Sequence, residues 1–129
     1  MPQEKSTPIV AVVDHDEAVR DSLTALLETA GVRVMGYSTP DAFIASREPR
    51  SIQCLLVDLN SPNANGLELV SRVHARDEKL PVVAMTWRRS PAIERRARAA
   101  GASAVLEKPL AQNALFDALA QALGHSLAR

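Results

Sequence analysis

The sequence predicts an α/β domain built on a doubly wound, five-stranded parallel sheet, and three observations predict it. Five short apolar runs alternate with five stretches of helical spacing. The first, third and fourth runs are almost wholly aliphatic, as befits strands covered by helices on both faces. The junctions carry helix-starting and helix-ending residues where such an alternation needs them.

The first strand is expected over Ile9–Val13, followed by a helix over Asp16–Ala30 that Gly31 ends, where a left-handed residue is wanted. A second strand, Val32–Tyr37, and a helix, Pro40–Arg47, follow. The third strand is read as Gln53–Asp58 and its helix as Gly66–Arg76. The fourth strand, Pro81–Thr86, leads into Ser90-Pro91, an N-cap with proline in the first turn, and a helix over Pro91–Ala100 that Gly101 closes. The fifth strand is expected over Ala104–Leu106. A last helix, Leu110–Leu123, carries Leu115, Leu119 and Leu123 four apart with Ala118 and Ala122 beside them, a single apolar stripe.

At 129 residues the chain is long enough for one domain of ordinary size, expected to fill residues 1–129 with its core over about 8–124. No internal repeat or linker divides it. The hydrophobic share of 47% supports a core and the aromatic share of 3% makes it aliphatic. Basic and acidic residues balance to a net charge of zero, which gives no electrostatic footprint for nucleic acid or an anionic membrane. The lone Cys54 excludes an internal disulfide framework, fits a reducing compartment, and reads as a small buried hydrophobe. No apolar run approaches the roughly 20 residues that span a bilayer, and residues 1–8 lack the apolar core of a signal peptide. A cytoplasmic protein that binds neither membrane nor nucleic acid is the expectation.

In doubly wound sheets the site lies at the carboxyl ends of the strands. Asp14-His15-Asp16-Glu17 follows the first strand; Asp58 ends the third, before Leu59-Asn60-Ser61-Pro62. Thr86 ends the fourth, and Glu107-Lys108-Pro109 follows the fifth. Asp14, Asp58, Thr86 and Lys108 should therefore converge on one rim. A buried carboxylate pair is costly without a cation or donors, and a divalent ion, Lys108 and the Thr86 hydroxyl would compensate it.

With these residues in place, the chain resembles the CheY-like response regulator receiver family. Its stretch Val12-Val13-Asp14 through Ala18-Val19-Arg20-Asp21-Ser22-Leu23 is most similar to the FixJ branch. The resemblance runs from about Ile9 to about Leu123. It rests on the acidic cluster after the first strand, Asp58 with Pro62 and Gly66 downstream, Thr86, and Ala100-Gly101-Ala102 leading to Lys108-Pro109. It implies the flavodoxin-like strand order 2-1-3-4-5 and a phosphoryl group accepted on Asp58 from a sensor histidine kinase or phosphotransfer protein. By the same resemblance, Mg2+ would be held by Asp14, Asp58 and the backbone carbonyl of Asn60. Lys108 would pair with the phosphoryl group, Thr86 would swing in to donate to it, and Lys108-Pro109 would be cis. Two copies could pair through the fourth and fifth helices. FixJ-like relatives usually carry a DNA-binding output domain, which this chain is not expected to contain.

Three positions depart from the family pattern. His15 stands where a second acid normally ligates magnesium, a hard cation that prefers oxygen, so affinity for Mg2+ should fall; His15 also opens a role for a softer metal. Trp87 replaces a small residue after the switching threonine, and its ring would either cover Asp58 or lie outward over the fourth helix. Arg88 and Arg89 beside it are either stand-in cations for the pocket or surface charges. Val105 takes the place of a switching aromatic and cannot make its rotamer swing.

Two functional readings follow. In one the chain is a receiver switched by phosphotransfer to Asp58, favoured by Asp58, Asn60, Thr86 and Lys108. The alternative is a pseudo-receiver, a phosphorylation-independent interaction module, favoured by His15 and Trp87. An enzyme acting on a small molecule is poorly supported: no glycine-rich phosphate loop and no nucleophile-plus-histidine arrangement stands at a strand end.

Overall fold

Strands and helices alternate throughout the described chain, which in this computed structural model comprises residues 7–46, 52–60, 66–124 and 127. The elements are β1 (Ile9–Val13), α1 (Glu17–Thr29), β2 (Arg33–Tyr37), α2 (Pro40–Ala45), β3 (Cys54–Asp58), α3 (Gly66–Arg76), β4 (Val82–Thr86), α4 (Pro91–Ala100), β5 (Ala104–Glu107) and α5 (Gln112–Leu123). Arg47, Ser61, Pro62 and His125 lie outside the described residues.

All strands pair in parallel in the order β2-β1-β3-β4-β5, the doubly wound arrangement expected. β1, β3 and β4 are buried at every residue, because helices cover both faces. Val10, Val12, Leu56 and Met85 pack against Leu23 and Leu27 of α1 and Leu115, Phe116 and Leu119 of α5. The alternate residues Ala11, Val13, Leu55, Val57 and Ala84 face Leu69 and Val70 of α3 and Ala97 of α4, with Phe43 and Ile44 of α2 at the margin. β1 and β3 are neighbours, yet their following helices leave to opposite faces. The chain therefore parts above their carboxyl ends, which is where such folds place a site.

The helix boundaries follow from local chemistry. Asp16 is the N-cap of α1, accepting from Ala18 N at 2.9 Å, so the helix begins one residue later than expected. Thr39 and Ser90 cap α2 and α4 in the same way. The last helix was expected from Leu110 but starts at Gln112, because Ala111 is extended and the chain must first turn back over the sheet; Leu110 instead packs on the core. Pro81 has no N–H for the ladder, so β4 starts at Val82, while the Pro81 carbonyl still accepts from Leu55 N. Cys54 is buried within this core, which pushes its thiol up to about 12 and leaves it inert at neutral pH. Among the described residues no helix is long and apolar enough to cross a membrane.

Gly31 and Gly101 follow helix ends at φ of 82° and 121°, but their surroundings differ. A Cβ on Gly31 would meet open space, whereas one on Gly101 would overlap Cβ and Cγ of His74 on α3. Gly31→Ala is expected to cost about 1 kcal/mol, the strain of a left-handed residue alone. Gly101→Ala should cost clearly more in urea unfolding, because the α3–α4 contact must also open.

Candidate functional site

Three side chains are delivered to the rim by backbone that prolongs the sheet. Asp14 N donates to Tyr37 O at 3.0 Å, extending the β1–β2 ladder by one residue. Asp58 is the last residue of β3, and Leu59 N behind it donates to Met85 O at 2.8 Å. Lys108 N donates to Thr86 O at 2.7 Å, and the Lys108–Pro109 bond is cis, as expected. Arg20 on α1 donates from Nη1 to the Asp14 carbonyl at 2.7 Å. At Gly36 of β2 a Cβ would stand 3.4 Å from Cδ of this arginine, so a bare backbone there leaves room for its shaft.

The Lys108 ammonium lies 2.5 Å from Asp14 Oδ2 and 3.1 Å from Asp58 Oδ1, bridging both carboxylates. All three side chains are at least 97% buried. Charges removed from water this far are costly, and only mutual pairing with further hydrogen bonds offsets it. Those bonds are present: Asp16 N donates to Asp14 Oδ1 and Asn60 N to Asp58 Oδ1, each at 2.9 Å. One oxygen, Asp58 Oδ2, is buried without any partner. It faces His15, whose Nδ1 is 3.6 Å away on a half-exposed side chain. Ligand atoms of Asp14, His15 and Asp58 lie within 4.8 Å of one another. An orphaned carboxylate oxygen beside two further donors fits a divalent cation. With one ammonium against two carboxylates, the charge balance fits it also.

Every residue predicted for the rim reaches it, but not every one makes the contact expected. Thr86 is buried at the end of β4, where its Oγ1 accepts from Arg88 N at 3.3 Å. Asn60 serves in two ways: its N–H holds Asp58, and its Oδ1 accepts from Trp87 N at 2.7 Å, tying the loop after β3 to the loop after β4. The Trp87 ring stands beside Lys108. It is 52% exposed, its centroid lies 5.3 Å from Lys108 Nζ, and it borders an open groove of about 290 Å³ with Ala18, Ser22 and Leu26 of α1 and Pro109. A cation over an indole face is attractive, and the ring lies on the α1 side of Lys108. Arg89 turns away to Glu94, at 2.8 Å, and so is not a stand-in cation for the pocket. That ion pair and a second with Arg98 hold the Glu94 carboxyl below its usual range. Val105 is buried among Ala84 and Ala97.

Gly66 has a role that spacing alone did not reveal. A Cβ there would stand 2.5 Å from the Asp58 carbonyl oxygen and 2.9 Å from Leu59 Cα. The first turn of α3 is thus pressed against the backbone that carries Asp58, and only glycine allows it.

With this geometry established, comparison with known proteins places the chain. It matches the response regulator receiver domain over residues 10–120. It is 35% identical over 117 residues to the transcriptional regulatory protein FixJ of Azorhizobium caulinodans, an alignment covering 91% of this chain and 56% of that one. The crystal structure of a response regulator receiver protein from Burkholderia phymatum superposes with a TM-score of 0.81 at 30% identity, covering 95% of this chain and 99% of the other. A CheY-like receiver domain protein from Methanospirillum hungatei gives 0.84 at 26% identity, covering 92% and 95%. The chain belongs to the response regulator receiver domain family, the phosphoacceptor class of two-component signalling. It spans about half the length of the FixJ relatives it matches.

The bridge predicts a non-additive response. Lys108→Met should cost about 3–5 kcal/mol, since two buried carboxylates lose their cation. Asp58→Asn in that background should restore part of the loss, and alone should be neutral or stabilising. Thermal unfolding of the two single variants and the double variant measures this; simple additivity would contradict the bridge.

Proposed function

We propose that Asp58 is the phosphoryl acceptor of this receiver domain, and that Asp14, Asn60, Thr86 and Lys108 serve its chemistry. The observation that carries this reading is the buried ammonium of Lys108 spanning Asp14 and Asp58 while Asp58 Oδ2 is left unpartnered. A surface ion pair would not require such burial, and a purely structural bridge would not leave an oxygen unsatisfied.

Phosphoryl transfer asks a protein mainly for positioning and for positive charge around the transferred group. A carboxylate oxygen of Asp58 attacks the phosphorus of a phosphohistidine on a kinase or phosphotransfer partner. The new P–O bond forms as the P–N bond breaks, and the departing imidazole takes up a proton. Lys108, a compact ammonium charge already at Asp58, moves its contact to a phosphoryl oxygen. Thr86 releases Arg88 N and turns its hydroxyl to another. Asp14, Asp58 and the Asn60 carbonyl would hold the divalent cation, Mg2+ in the family resemblance, which supplies further positive charge to the phosphoryl oxygens. His15 would stand in this shell in place of an oxygen ligand, so the residues present would hold Mg2+ weakly. The apolar groove between α1 and Pro109 adjoins Lys108 and offers the partner a docking face next to the acceptor. The retained bridge favours this reading over a phosphorylation-independent interaction module.

Incubation with acetyl phosphate or phosphoramidate and Mg2+, followed by intact mass measurement, is expected to show the gain of one phosphoryl group, absent in Asp58→Asn. No gain at any Mg2+ concentration, or a gain that survives Asp58→Asn, would refute the assignment. Phosphorylation of Lys108→Ala should be slowed by a factor of at least about ten, one charge-assisted hydrogen bond in the transition state.

A further inference from the structure

The rim contains four carboxylate oxygens, and three are accounted for. Asp14 Oδ2 and Asp58 Oδ1 face Lys108, and Asp14 Oδ1 accepts from Asp16 N. The fourth, Asp58 Oδ2, has no partner although its side chain is 1% exposed. An imidazole nitrogen, His15 Nδ1, stands 3.6 Å from it.

From this juxtaposition we propose that Asp14, His15 and Asp58 form a site for a late first-row transition-metal cation of the Zn2+ type, and that this site prefers such an ion to Mg2+. The inference rests on the phosphoacceptor reading for the role of the ion, but its geometry stands apart from that reading.

The spacing supports a shared ion. Zinc sits about 2.0–2.2 Å from nitrogen and oxygen ligands, which in a tetrahedral shell places two ligands about 3.3–3.6 Å apart. His15 Nδ1 and Asp58 Oδ2 are 3.6 Å apart, long for a hydrogen bond and close to that ligand separation. The third ligand atom, on Asp14, lies within 4.8 Å of both.

Charge and ligand type decide which ion. Two carboxylates and the Lys108 ammonium leave one net negative charge, so a divalent ion is favoured by Coulomb attraction whatever its identity. Mg2+ demands near-octahedral oxygen ligands, and an imidazole in the shell works against it. Imidazole suits zinc, nickel and copper, whose affinities also exceed that of early divalent ions for the same nitrogen and oxygen donors. The His15 side chain is 46% exposed, so one side of the ion stays open to water or to a phosphoryl oxygen.

Asp16 does not compete for the ion: its Oδ1 is committed to Ala18 N as the cap of α1. His74 lies on α3 beside Gly101, far from the rim in the fold, and serves as an internal control for adventitious binding.

The test uses metal-free protein without any phosphodonor. Calorimetric titration with Zn2+ and separately with Mg2+ is made on the wild type, His15→Ala, His15→Asp and His74→Ala. The wild type is expected to bind one Zn2+ at least about tenfold more tightly than Mg2+, and His15→Ala to lose at least about tenfold of that affinity. His15→Asp should weaken Zn2+ and strengthen Mg2+, and His74→Ala should change neither. Ni2+ as a paramagnetic probe should broaden the amide resonances of Asp14, Asp58 and Asn60 first. Equal Zn2+ affinity in wild type and His15→Ala, a wild-type preference for Mg2+, or broadening centred on His74 would overturn the proposal. Since no phosphoryl transfer enters these measurements, failure of the acceptor assignment and failure of the metal preference are told apart.

Discussion

The rest of the site depends on one ammonium group. Lys108 reaches two carboxylates 94 and 50 residues earlier in the chain, at the carboxyl ends of three strands, with all three side chains buried. Each of those charges would be costly alone. Together they are tolerable because the strands fix their separation before any side chain moves: ladder hydrogen bonds run directly up to Asp14, Leu59 and Lys108. The sheet prepays the positional entropy, so the pairing energy is not consumed in ordering flexible loops.

The same constraint makes the surrounding loops a single unit. Asn60 links Asp58 to the Trp87 amide, Lys108 N links β5 to Thr86, and Arg89 N donates to Glu107 Oε2 at 3.2 Å. A change at Asp58 therefore has short routes to the loop that begins α4. Val105 on β5 is buried, and the hydrogen bonds nearest Asp58 lead to Asn60 and on to the β4–α4 loop. Gly66 sets the other wall, since α3 can touch the backbone of Asp58 only where a side chain is missing.

Most of the fold was legible because it is written in short-range signals. Nearly all-aliphatic strands such as Val10–Val13 and Leu55–Val57 admit only a sheet covered twice, and Ser90-Pro91, Gly31 and Gly101 mark helix ends by their own chemistry. The convergence of Asp14, Asp58, Thr86 and Lys108 was legible too, because parallel strands carry their last residues to a common rim. What escaped was set by side-chain geometry and close approach. Arg20, in the first turn of α1, reaches back past the start of the helix to the Asp14 carbonyl, which no spacing rule announces. The Asn60 side chain bonds to a loop 27 residues away. Trp87 could not be placed because the attraction that orients it comes from Lys108, a neighbour only in three dimensions. His15 was recognisable as a departure, but its nitrogen's position opposite an unpartnered oxygen was not.

The most direct test of this account is NMR of the Lys108 side chain, through hydrogen-bond-mediated couplings from its ammonium nitrogen to carboxyl carbons. The bridge predicts a slowly exchanging ammonium coupled to the carboxyl groups of both Asp14 and Asp58. Coupling to only one of them, or an ammonium that exchanges with solvent as fast as a surface lysine such as Lys79, would contradict it.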